Sequence, residues 1–290
     1  MKVLIIGATR GLGASLTTLY ASDTNNTVFA TSRSGEARHE KNVHWIPGID
    51  IADAEAGDKV VDYLRQHDDE SSSGGSLKLD IVILTAGYFG FETFDEPDFD
   101  KEVKMYTTSA IGPVFLVRSL MKAGVVRESS STHSTTNTAT EEGKEEGDGR
   151  HKKRTKTDTE TGGKIIVVTS ESGSIALRHE KEGGGNYGHH GSKAASNMVV
   201  KLLSLDLLPR GVAVVALHPG FMRTEMTKHV GFDRFYDDGG AVTPDEAAES
   251  LVQFVRERVD VGLTGQYWAP RGTAEAVLGK DLPTPLQLPW

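Results

Sequence analysis

The stretch Lys2-Val3-Leu4-Ile5-Ile6-Gly7-Ala8-Thr9-Arg10-Gly11-Leu12-Gly13 decides the fold. Its first part is a short run of aliphatic residues, which reads as a strand covered on both faces. Its second part is rich in glycine and runs into a helical pattern over Gly11–Ala21. A glycine-rich turn between a strand and a helix lets backbone N–H groups approach a pyrophosphate, which then sits at the positive helix N-terminus. The spacing is GxxxGxG, not GxGxxG. Glycines alone are weak evidence, and the position directly after a strand is what makes the signal specific. Gly7, Thr9, Arg10, Gly11, Leu12 and Gly13 are therefore candidate phosphate-side residues.

The pattern continues along the chain. Thr27–Thr31, Val43–Ile46, Asp80–Leu84, Lys164–Thr169 and Val212–Leu217 read as further strands, dense in Val and Ile. Between them Asp53–Gln66, Phe99–Val125, Tyr187–Leu208 and Pro244–Arg258 read as helices. This alternation predicts an α/β fold: a single Rossmann-type doubly wound parallel sheet with helices on both faces. The expected organisation is one nucleotide-binding domain over residues 1–290. Two stretches interrupt it. Asp68–Ser76 reads as a surface loop. Glu128–Gly163 contains Ala139 as its one apolar residue and is expected to be a disordered, solvated insertion, because it cannot bury enough surface to offset its ordering entropy.

Composition narrows the classes. The 290 residues include no cysteine, which excludes a disulfide framework, a thiolate metal site and a cysteine nucleophile. A net charge of −9 argues against nucleic acid as a partner, since phosphate contacts need clustered Lys and Arg. Val3–Ala8 is too short for a signal peptide or a membrane span, so a cytoplasmic protein with no membrane partner is expected.

The second strand ends near the position of an adenosine ribose. A carboxylate there would bind the 2′-hydroxyl of NAD; this chain has Thr31-Ser32-Arg33-Ser34 instead. Arg33, with Arg10 in the glycine turn, offers two guanidiniums to a 2′-phosphate, which selects NADP(H) as the cofactor. Asp50 and Ile51 follow the third strand, where a carboxylate and a backbone N–H can meet an adenine edge. Asp50 alone also reads as a helix cap.

With these residues in place the sequence resembles the short-chain dehydrogenase/reductases. The glycine turn is similar to that family's TGxxxGxG, with Ile6 in place of Thr. Leu84-Thr85-Ala86-Gly87 is similar to its NNAG stretch with both Asn lost, which places Ala86 and Gly87 beside the cofactor. Lys164–Ser174 resembles the serine motif, making Ser170 the substrate-orienting hydroxyl. His218–Thr224 resembles the PGxxxT stretch beside the nicotinamide, which implies cofactor roles for Pro219, Gly220, Met222 and Thr224. Gly188–Asn197 resembles the active-site helix and makes Lys193 the lysine of YxxxK, holding the ribose. Pro285–Trp290 is similar to the ending of small reductases grouped around C-factor and sniffer. The resemblance implies hydride transfer between NADP(H) and a C–O or C=N group of a small organic substrate. It also implies a homodimer surface on the Phe99–Val125 and Tyr187–Leu208 helices.

The departures fall on the chemistry. Four residues before Lys193 stands His189, where the family has its catalytic tyrosine, and the position of the family's asparagine is Ser109. Residues 189 and 193 share one helical face. A lysine ammonium there disfavours an imidazolium, leaving His189 a base and a poor acid. Tyr187 is the other proton-transfer candidate. It lies about 240° around the helix and about 9 Å along it from Lys193, so only an irregular helix start would bring it in. The alternative function is an NADP(H)-binding sensor or scaffold, or a non-redox enzyme using His189 as base. His179, His189, His190 and His218 match no compact metal spacing, so no metal is expected. Tyr88, Phe89, Phe91, Phe221, Phe232 and Phe235 are candidates for an apolar substrate wall.

Overall fold

In chain order the described elements begin with β1 (Lys2–Ile6), α1 (Gly11–Ser22), β2 (Thr27–Thr31), β3 (Val43–Ile46), α2 (Ala56–Gln66) and β4 (Ile81–Leu84). There follow α3 (Phe99–Tyr106), α4 (Gly112–Lys122), β5 (Lys164–Val168), α5 (Tyr187–Leu207) and β6 (Ala213–Leu217). Last come α6 (Glu225–His229), α7 (Pro244–Glu257), β7 (Tyr267–Ala269) and β8 (Leu286–Gln287). The computed structural model describes residues 1–35, 39–67, 77–129, 162–180, 183–273 and 283–290. The expected loop at 68–76 and residues 130–161 of the expected insertion lie outside the described residues.

Alternation along the strands divides one sheet between two cores, because successive side chains point to opposite faces. Val3 and Ile5 pack with Val28, Ile83, Ile166 and Val215 against α1 and α7. Leu4 and Ile6 pack with Phe29, Val82, Ile165 and Val214 against α2, α4 and α5. That is why the strands read as unbroken apolar runs: both faces are covered. The strand order is β3-β2-β1-β4-β5-β6-β7-β8, parallel from β3 to β7. Connections leave β1 in both directions, so a crevice opens beyond the carboxyl ends of β1 and β4.

Several elements differ from the sequence expectation. The sheet gains β7 and an antiparallel edge strand, β8. The helix expected over Phe99–Val125 is two helices joined by a π turn at Thr107–Ile111. Pro113 stands in the first turn of α4, where its missing N–H costs nothing. A Cβ at Gly112 would lie 1.9 Å from the Ile51 carbonyl oxygen, so the joint presses directly on the crevice floor. Helix α2 begins at Ala56, and Asp50 instead accepts the Ala52 N–H at 3.0 Å in the turn before it.

The 128–163 stretch is rooted at one point. The Gly163 N–H donates to the Arg127 carbonyl at 2.7 Å, and Arg210 grips Glu128 at 2.6 and 2.9 Å. These roots lie at the amino end of β5, the end away from the crevice.

Candidate active site

A cleft of about 920 Å³ runs along the carboxyl ends of β1, β2, β4, β5 and β6. Its nucleotide half is built on close backbone approach. Gly7 has φ +89°, and a Cβ on Gly13 would stand 2.1 Å from the Gly7 carbonyl oxygen and 2.7 Å from Thr85 Oγ1. Only glycine lets the turn fold this tightly onto the start of α1. The Gly7 N–H donates to Thr31 Oγ1 at 2.9 Å, tying the turn to the end of β2. Gly7, Thr9, Arg10, Gly11, Leu12, Gly13, Arg33, Asp50, Ile51, Ala86 and Gly87 all line this half. The first turn of α1 holds no acidic residue, leaving its N-terminus open to an anion. The cradle therefore fits a pyrophosphate, with two exposed guanidiniums beside it.

The other half gathers the candidate catalytic groups. Ser170 follows β5 and its Oγ accepts the Ser172 N–H at 3.2 Å. His189 and Lys193 reach in from α5, one turn apart. The His189 ring stacks on Phe89 with centroids 4.1 Å apart, and its Nδ1 is buried with no hydrogen-bond partner. Burial, then the charges of Lys193, His190 and Arg178, push its pKa down to about 3. Burial alone pushes Lys193 down to about 8; its Nζ donates to the Val168 carbonyl at 3.4 Å. Around neutral pH the pair is thus an imidazole base beside an ammonium acid.

The depressed imidazole has a consequence for stability. Unfolded, His189 takes up a proton below about pH 6.5; folded, it stays neutral until about pH 3. Stability is therefore full above pH 6.5 and falls with pH through the window between. Urea titrations at pH 7 and 5 should show a wild-type loss that shrinks by about 2 kcal/mol in His189→Phe. An unchanged loss would mean that the ring titrates normally.

Pro219, Gly220, Met222 and Thr224 line the cleft after β6. Thr224 caps α6 reciprocally with Thr227, and its Cγ2 lies 3.6 Å from where a Cβ on Gly11 would stand, which closes the cleft over the glycine turn. Tyr88, Phe89, Phe221, Phe232 and Phe235 form the expected aromatic wall, with Phe232 edge-on to Phe89 at 5.6 Å. Phe91 does not line the cleft and is 49% exposed.

Some candidates are not brought together. Tyr187 is outside the cleft and 45% exposed, because α5 starts regularly at that residue after Asn186 in the left-handed region. Ser109 lies in the π turn with its Oγ buried and unpartnered, while its neighbour Thr108 faces the cleft. His190 meets His189 edge-on and its Nδ1 lies 3.0 Å from the Asn186 carbonyl. Among the described residues, no group of three or more His, Asp or Glu is placed to hold a metal ion.

Sequence reasoning missed Glu171 and Lys104. Glu171 lines the cleft beside Ser170; its N–H donates to His218 Nδ1 at 3.2 Å, and its Oε2 lies 3.4 Å from His218 Nε2. His218 is buried and held below its ordinary pKa mainly by that burial. The position after the motif serine was a usable signal for Glu171. Lys104, whose ammonium lies 4.4 Å from the Tyr88 ring centre, had none, since only the fold turns it inward.

Comparison with known proteins agrees with this architecture. A family model described as short chain dehydrogenase matches residues 154–234. The 1-hydroxy-2-glutathionyl-2-methyl-3-butene dehydrogenase of Rhodococcus sp. (strain AD45) is 24% identical over 254 residues, covering 87% of this chain and 88% of that one. An NADPH-bound carbonyl reductase from chicken fatty liver has the same fold at TM-score 0.69 and 21% identity, covering 94% and 97% of the two chains. The carbonyl reductase Sniffer of D. melanogaster follows at 0.66 and 21%, covering 94% and 98%. The motifs stand along the parallel sheet in the order of the short-chain dehydrogenase/reductases, and the chain is similar to proteins of that family.

Among the described residues, no helix is long and apolar enough to cross a membrane.

Proposed function

We propose that the protein is an NADP(H)-dependent oxidoreductase acting on a C–O or C=N group of a small organic substrate. One observation carries the reading: a single cleft is lined at one end by the glycine cradle with Arg10 and Arg33, and at the other by Ser170, His189 and Lys193. The cofactor, when bound, supplies or accepts hydride at its nicotinamide. Gly7, Gly11 and Gly13 would hold its pyrophosphate, Arg10 and Arg33 its 2′-phosphate, and Asp50 and Ile51 its adenine edge. Ala86, Gly87, Pro219, Gly220, Met222 and Thr224 would flank the nicotinamide half.

The protein's own groups handle orientation and the proton. Ser170 Oγ donates a hydrogen bond to the substrate oxygen. His189, neutral at physiological pH, relays the proton between the substrate oxygen and Lys193, by the same path in both directions. Lys193, which loses its proton at about 8 in the free protein, is the source of that proton in reduction and its destination in oxidation, and holds the ribose. The aromatic wall excludes water. The unpartnered His189 Nδ1 supports this assignment, since a buried ring nitrogen without a partner is costly unless a ligand completes it.

The test is NADPH consumption at 340 nm against a panel of ketones, aldehydes and cyclic imines. Turnover with at least one substrate is expected. Tight NADPH binding with no turnover would favour the second reading, a non-redox enzyme using His189 as base, which the neutral imidazole also suits.

We further propose one cytoplasmic nucleotide-binding domain carrying the 128–163 stretch as an insertion, working as a homodimer. Met198, Leu202 and Leu205 form an exposed stripe at i, i+4 and i+7 of α5, each more than half exposed. A surface stripe of this kind marks a partner face. Sedimentation should show a wild-type dimer and a Leu202→Glu monomer; a wild-type monomer would contradict the assignment.

A further inference from the structure

The loop from β4 to α3 carries an acidic side chain that the proposed chemistry does not use. Glu92 is 2% exposed. A carboxylate that is so buried needs partners, and it finds one at the start of α5. Its Oε1 accepts the N–H of Gly188, and its main-chain carbonyl accepts the N–H of Asn186 at 3.0 Å. The first N–H groups of a helix have no partner within it, and local capping is missing here. Asn186 sits at φ 49°, makes no capping bond, and leaves its Oδ1 buried and unpaired. The cap therefore arrives from 96 residues away, and its carboxylate also faces the positive end of the helix.

Packing at Gly188 gives a second, independent constraint. A Cβ there would stand 2.4 Å from Met105 Cε, 2.9 Å from Glu102 Cγ and 3.0 Å from Glu92 Oε1. Helices α3 and α5 and the β4–α3 loop thus converge on a residue with room only for hydrogen. The next residue is His189, whose ring stacks on Phe89 of the same loop. The loop grips α5 by its backbone at 186 and 188 and by a ring at 189.

We propose that Glu92 is a positioning residue: by capping α5 from the β4–α3 loop it fixes the helix's first turn and, with it, the place of the His189 imidazole. The inference rests on the reading of His189 as the proton-handling group. The remaining carboxylate oxygen, Oε2, is buried without a hydrogen-bond partner beside Glu102. A glutamine at 92 would keep a carbonyl for Gly188 and offer Glu102 an amide donor. A leucine would keep the bulk and lose the acceptor.

The full chain with Glu92→Leu or Glu92→Gln tests this by two readouts independent of any substrate: amide exchange at Gly188 and the NMR position of His189 Cε1–H, which Phe89 shields. Glu92→Leu should speed Gly188 exchange at least tenfold, move the His189 signal, and lower kcat at least tenfold with the NADPH Kd within threefold. Glu92→Gln should restore most of each. Should Glu92→Leu not fold, Glu92→Asp, which withdraws the carboxylate by one methylene, carries the same expectation. Unchanged exchange and an unchanged His189 signal would overturn the proposal, as would kcat and NADPH affinity falling together. If the wild type reduces no carbonyl, the oxidoreductase reading fails alone, and exchange with the ring signal still decides the clasp.

Discussion

Replacing Lys193 with methionine should lower kcat/KM for NADPH-dependent reduction by about 10²–10⁴-fold, the usual worth of a positioned proton donor. The pH profile should identify the donor. In the free protein Lys193 loses its proton at about 8, so the wild-type profile should be flat between pH 6 and 8 and fall about tenfold per unit above that. The sign follows from the group: an ammonium acid is present below its pKa and lost as pH rises through it. His189, at about 3, contributes no inflection at 6–7. Oxidation runs the same proton path backwards and needs the free amine, so its rate should rise with pH towards 8, and His189→Phe, which breaks the relay, should cost at least about a hundredfold in either direction. Tyr187→Phe should stay within about twofold, because an exposed phenol outside the cleft cannot reach the reacting atoms. An inflection at 6–7 in the wild type would mean that burial does not hold the imidazole neutral.

The second large effect is on cofactor choice. Arg33→Ala should raise the NADPH Kd by about 10- to 100-fold and leave NADH within about threefold, since a charge-assisted hydrogen bond to phosphate is worth about 1.5–3 kcal/mol. Arg10→Ala should act in the same direction. Arg33→Asp should reverse the preference, as the new carboxylate repels a 2′-phosphate and accepts from a 2′-hydroxyl. Calorimetric titration of each variant with both cofactors reads this directly. Equal weakening of NADH and NADPH would mean that Arg33 acts on the fold of the β2 end and not on the phosphate.

The legible part of the fold was the part with long, regular patterns. Strands β1 to β6 announced themselves because burial on both faces removes polar residues from the run. The edge was not legible. Strands β7 and β8 have three and two residues, too few to display a period, and α6 has five. The break between α3 and α4 was hidden by apolar periodicity that runs through it, although Gly112-Pro113 marked the place. The need for it is tertiary: the helix must approach the Ile51 carbonyl more closely than any side chain allows.

The site divides in the same way. His189 and Lys193 are a local pair, so their shared face and mutual effect could be read from spacing. Glu171 and His218 are 47 residues apart and meet only because β5 and β6 are neighbours. Glu92 and Gly188 are further apart still and meet where a loop folds over a helix end. Tyr187 was resolved by the helix itself: three glycines before it permit an irregular start, and the chain uses instead a left-handed Asn186 followed by regular α5.

The most direct test of the account is a single turnover with NADPH deuterated at the transferable position, mixed with the best carbonyl or imine from the panel. Deuterium is expected on the product carbon with the wild type and with Tyr187→Phe, and a transfer rate at least about a hundredfold lower with Lys193→Met. Bound cofactor that gives up no deuterium to any acceptor, or transfer that is lost only in Tyr187→Phe, would contradict it.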